Sequence, residues 1–120
     1  MRLIVTIALA LGALALPAAA ANYPVSGKWG VSTSSEKGKI DCTDKRVIAF
    51  NGNQRTDSNG GVRAYRNKSV SGGPTQFRIV DVFSNGQVNN ASVRYTLGLI
   101  DDDHIVMHGQ TGTLKLRRCE

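Results

Sequence analysis

His104 and His108 stand four residues apart, in the pattern H-x-x-x-H. On a helix that spacing puts both rings on one face, ready for zinc. This segment reads instead as a strand, where positions i and i+4 lie about 13 Å apart and cannot share one ion. No glutamate adjoins His104 to serve as a base. Just before it, Asp101-Asp102-Asp103 gathers three carboxylates that could hold a divalent cation through oxygen. The run holds no glycine, and no bidentate glutamate follows at calcium-loop spacing, so it reads as a solvated hairpin turn. No metal site is expected.

The nucleophiles are equally uncommitted. None of the serines sits in G-x-S-x-G. Ser71-Gly72-Gly73-Pro74 lacks the Lys-Ser/Thr ending of a phosphate loop. Cys42 and Cys119 are far too widely spaced for C-x-x-C redox chemistry or a zinc ribbon. No catalytic residue and no cofactor is expected.

Asp81 lies within Phe77–Phe83, and alternation places it on the face of Phe77, Ile79 and Phe83. A carboxylate on an apolar face must be paired, hydrogen-bonded or protonated. It is therefore a pocket acid with a raised pKa, a structural partner, or an outward residue in some other register.

The elements that would position these groups are strands. After Tyr23, glycines recur between short runs of Val, Ile, Thr, Tyr and Phe, and no stretch holds helical apolar spacing. Strands are predicted over Val25–Thr33, Lys45–Asn51, Val62–Arg66, Thr75–Ser84, Val88–Ile100, His104–Gly109 and Gly112–Cys119, with a short further one at Lys39–Cys42. Seven to eight strands with short links predict an all-β antiparallel meander, closed as a small barrel or folded as a sandwich. Trp29 with Val31, then Val93, Tyr95, Leu97 and Leu99, then Leu114, Leu116 and Arg118 form the inward sets.

Ser84-Asn85-Gly86-Gln87 is the clearest hairpin signal. A loop of three residues, or one bulge near Asn89-Asn90, pairs Ile79 with Val93 and Phe77 with Tyr95 on one apolar face. That register sets Arg78 against Arg94, and like charges directly opposite repel. The pair is a candidate anion contact, or simply two splayed, solvated arginines.

The chain opens with Met1-Arg2, an apolar run from Leu3 to Leu16, Pro17, and then Ala18 to Ala21. A basic start, an apolar stretch and small residues at a cleavage point are the parts of a secretory leader. The run falls short of the roughly 20 residues a membrane helix needs. Residues 1–21 are therefore read as a cleaved signal peptide and 22–120 as one exported domain, periplasmic or extracellular, with no membrane-spanning segment. In an oxidising compartment Cys42 and Cys119 are expected to pair. Closing so long a loop is worth about 4.5 kcal/mol in the chain-entropy model. The net charge of +6 is dispersed rather than blocked, which suits a solubilising surface or an acidic partner.

Gly27-Lys28-Trp29 at the first strand, with Arg118 on the last, resembles the pattern of calycins, the lipocalins and their shorter relatives. The resemblance implies that Trp29 plugs one barrel end with Arg118 packed over it. The chain is shorter than a lipocalin and lacks that family's later turn motif. Its length, export signal and N-terminal arm are also similar to the bacterial periplasmic inhibitors of secreted metalloproteases. In those proteins the arm enters the protease cleft; the matching stretch here is Ala21–Ser26.

Two functions follow as expectations. One is non-enzymatic binding of a small apolar ligand, lined by Tyr95, Leu97, Leu99, Leu114 and Leu116 with Trp29. The other is a protein-interaction module, such as a hydrolase inhibitor using the arm. Tyr65 and Phe77 lie among Arg63, Arg66 and Arg78 in the manner of a stacking platform. Export nonetheless argues against nucleic acid as the partner. A monomer is expected.

Overall fold

The computed structural model describes residues 21–120. The leader expected over residues 1–21 lies, but for Ala21, outside the described residues. Eight strands follow in order: β1 Gly27–Val31, β2 Val47–Asn51, β3 Gln54–Asp57, β4 Ala64–Gly72, β5 Gln76–Phe83, β6 Ala91–Asp101, β7 His104–Gly109 and β8 Gly112–Arg118. Each pairs antiparallel with its chain neighbour, and β8 returns to β1, so the sheet closes into a barrel. Closure removes the free edges that a small sheet would otherwise expose.

Alternation sends one side chain of every pair inward. Trp29, Ile48, Phe50, Ile79, Leu97, Ile105 and Leu116 are almost fully enclosed and form the core. An eight-stranded barrel is narrow enough for such side chains to fill it. No helix among the described residues is long and apolar enough to cross a membrane.

β3 was not foreseen, and β4 runs to Gly72 rather than ending at Arg66. Both send polar side chains inward. Arg55, Asp57 and Asn67 are buried where an apolar period would be sought. The short strand expected at Lys39–Cys42 is a single bridge, Ile40 to Cys119.

The β5–β6 register also differs from expectation. Ile79 faces Tyr95 and Phe77 faces Leu97. The connection spans residues 84–90 and is stabilised from within. The Asn85 side chain accepts the Gln87 and Val88 N–H groups at 2.7 and 2.9 Å, and Ser84 Oγ accepts that of Asn90 at 3.0 Å. The longer loop slides the pairing by two residues, which preserves every inward face. Arg78 consequently faces Thr96 and Arg94 faces Val80, so the two arginines do not oppose each other directly.

Residues 32–46 between β1 and β2 form a strap across the outside of the barrel. Arg117 of β8, buried beneath it, donates to the Lys37 and Gly38 carbonyls at 3.2 Å. The strap is fastened by the Cys42–Cys119 disulfide, whose Cα atoms are 5.6 Å apart. Gly30 permits this closeness, since a Cβ there would lie 2.7 Å from Cys42 Sγ.

Candidate functional site

The two barrel ends differ. At one end Trp29 and Arg118 are cross-strand partners, and the Arg118 guanidinium sits 4.3 Å above the indole ring. Indole Nε1 donates to the Ser26 carbonyl at 3.0 Å, and Arg118 Nε donates to that of Asp102 at 3.0 Å. Gly27 makes room for the guanidinium: its φ is +90°, and a Cβ would approach Arg118 Nη1 to 3.3 Å. The N-terminal arm folds over this same end. The Tyr23 N–H donates to Gly52 at 3.0 Å, and the Tyr23 ring enters the barrel edge-on to Phe50, centroids 4.9 Å apart.

A polar layer crosses the barrel above this plug. Asp81 is fully buried. Its carboxylate accepts Arg55 Nε at 2.9 Å, the Tyr95 hydroxyl at 2.8 Å and Asn67 Nδ2 at 3.1 Å. Of the roles open to Asp81 in the sequence, the structural partner is the one observed. Burial raises the Tyr95 phenol far above its ordinary range. Burial and the charge of Asp81 do the same for Tyr23. Both phenols therefore stay neutral. The Tyr23 hydroxyl and Asn67 Oδ1 are buried with no hydrogen-bond partner in geometric range.

Arg55 links this layer to the open end. Its guanidinium lies 3.8 Å from the Tyr65 ring centroid and 5.0 Å from that of Tyr95. Only Nε reaches a carboxylate; among the described residues the two terminal nitrogens have no acceptor. Arg55 borders a pocket of about 690 Å³ at this mouth, lined also by Arg46, Tyr65, Tyr95, Met107 and Leu114 and by the β7–β8 turn. At the rim, Arg46 makes a two-pronged contact with Asp57, at 2.9 and 2.6 Å. Burial opposes ionisation of Asp57, but the Arg46 guanidinium and the Asn59 N–H outweigh it and hold the carboxyl below its usual range.

Of the residues expected to line a ligand cavity, Tyr95 and Leu114 border this pocket. Leu97 and Leu116 are enclosed in the core. Leu99 and Trp29 border a separate hollow beneath the arm. Arg55 and Arg46 had no signal in the apolar pattern, and Tyr65 and Met107, though in predicted strands, were not read as lining a site. Tyr65 and Phe77 form no stacking platform with Arg66 and Arg78, because those rings turn inward while the two arginines turn outward. His104 bonds Asp101 and the Glu36 carbonyl, both at 2.8 Å, while His108 bonds Thr113 at 3.0 Å. Asp103 lies 3.6 Å from Arg118. Among the described residues no three His, Cys, Asp or Glu side chains converge as metal donors.

Compared with family models, curated proteins and solved structures, the chain has no match.

Proposed function

We propose that the protein is an exported, non-enzymatic binding protein of calycin type that takes a small ligand into its open mouth. The carrying observation is Arg55 in the pocket lining, with terminal nitrogens that have no hydrogen-bond acceptor among the described residues and with the Tyr65 and Tyr95 rings against its guanidinium. A ligand that fits has an acceptor at one end, a carboxylate or carbonyl for Arg55, and an apolar body for Tyr65, Tyr95, Met107 and Leu114. Asp81 already accepts from three donors and is not free to serve as a general base.

The rival reading, an inhibitor that inserts its arm into a hydrolase, has less support. Tyr23 is seated in this chain's own barrel and would have to be withdrawn. Native mass spectrometry of the protein recovered from its host's exported fraction tests the choice. A small mass that leaves on denaturation, and is lost in Met107→Trp, supports the carrier. A co-purifying hydrolase, released when residues before Val25 are removed, supports the inhibitor instead.

A further inference from the structure

The outer wall formed by β4–β8 carries charge of one sign. Its exposed cations are Arg66 and Lys68 from β4, Arg78 from β5, Arg94 from β6 and Lys115 from β8. The same strands contain only two carboxylates. Asp81 is sealed inside against Arg55, and Asp101 stands at the far end of β6 beside His104. None of the five cations forms an ion pair among the described residues. The remaining acids lie in the strap, in the β6–β7 turn, at the Asp57 rim and at Glu120.

Strand pairing orders this wall. Ser71, Arg78, Thr96, His108 and Thr113 are successive cross-strand partners, forming one row across five strands. Ser69, Val80 and Arg94 form the row beside it. Neighbouring strands are about 4.8 Å apart, so a chain lying across them meets a cation or a hydroxyl at nearly every step. A shallow depression of about 440 Å³ runs between the two rows, bordered by Ser69, Ser71, Arg78, Arg94, Thr96 and His108.

We propose that this wall binds an acidic polysaccharide laid across the strands. The arginines supply planar forks for carboxylate or phosphate groups. The hydroxyl side chains between them match a partner rich in hydroxyls. Nucleic acid fits less well, because Tyr65, Phe77, Phe83 and Tyr95 belong to the inner face and leave no Phe, Tyr or Trp ring on the wall for a base. A bilayer fits less well too. The two exposed large apolar residues, Val88 and Ile100, lie near opposite ends of β6 and form no joint apolar face, and Ile100 adjoins Asp101, Asp102 and Asp103, where an anionic surface is repelled.

The test measures binding of the full domain to alginate, a carboxylate-bearing polymer, at low salt. Two double variants remove the same charge from different places: Arg78→Gln/Arg94→Gln on the wall and Lys37→Gln/Lys39→Gln on the strap. All four residues are exposed, and thermal unfolding at the wild-type temperature confirms that both variants fold. The wall variant is expected to lose affinity tenfold or more and the strap variant less than twofold. Equal losses would reduce the effect to net charge and overturn the proposal, as would no binding of alginate. Tighter binding to phosphatidylglycerol vesicles or to oligothymidylate than to alginate at matched charge would overturn it in favour of those partners.

Discussion

Arg55 and Asp81, 26 residues apart in sequence, meet inside the barrel at 2.9 Å with side chains 6% and 0% exposed. A buried ion pair of this kind is seldom a large net gain over apolar packing, but removing one partner leaves an uncompensated charge. Asp81→Asn is expected to cost about 3–5 kcal/mol in denaturant unfolding. Arg55→Met/Asp81→Leu should recover much of that loss, while abolishing ligand uptake at the mouth. Unfolding midpoints of the two variants, measured with ligand uptake, check both halves.

Tyr23 ties the arm to the core. Tyr23→Ala removes a buried ring and is expected to cost about 3–5 kcal/mol. Hydrogen exchange should then quicken at the N–H of residue 23, which donates to the Gly52 carbonyl, and in the β2–β3 turn beneath it. An unchanged midpoint would mean that the arm does not contribute to the fold.

The disulfide joins residues separated by 77 positions and pins the strap to the end of β8. Cys42→Ser/Cys119→Ser is expected to lose about 2–5 kcal/mol. Mass measurement with a thiol-blocking reagent should show no addition until the protein is reduced.

His104 gives the strap a pH dependence. Its ring bridges Asp101 and the Glu36 carbonyl, with Arg117 nearby as the opposing cation. The hydrogen bond to Asp101 leads in raising its pKa above 6.5. A raised folded-state pKa gives stabilisation that is complete below the unfolded value and lost as pH rises through the folded one. Amide exchange across residues 32–40, corrected for intrinsic rate, should therefore be slower at about pH 5.5 than at about pH 8. His104→Gln should remove the difference. Asp57 works in the other direction: its contribution is present above pH 3.8 and is lost as pH falls through its lowered folded value.

Much of the barrel was legible because its apolar positions alternate. β1, β5, β6, β7 and β8 carry Trp, Phe, Ile, Val and Leu at every second place, so their inward faces were readable without knowing the register. Gly27, Trp29 and Arg118 stand together at one barrel end. β3 was not legible, because Gln54-Arg55-Thr56-Asp57 contains no apolar residue and resembles the turns on either side. For the same reason the mouth was read only through Tyr95 and Leu114. Its decisive residue, Arg55, looks like any surface arginine until β3 and β5 bring it to Asp81. The one local hint was Asp81 itself, a carboxylate on an apolar face that required a partner.

Mapping ligand contacts along the backbone tests the central claim most directly. Uniformly ¹⁵N-labelled protein is titrated with 1-anilinonaphthalene-8-sulfonate, which joins an apolar body to an anionic end, and amide shifts are followed by NMR. The account predicts saturable shifts at Ser92–Tyr95, at Gln110–Leu114 and at the Arg55 Nε–H, with Trp29 and the arm unmoved. Shifts confined to the Trp29–Arg118 end, or none at saturating probe, would contradict it.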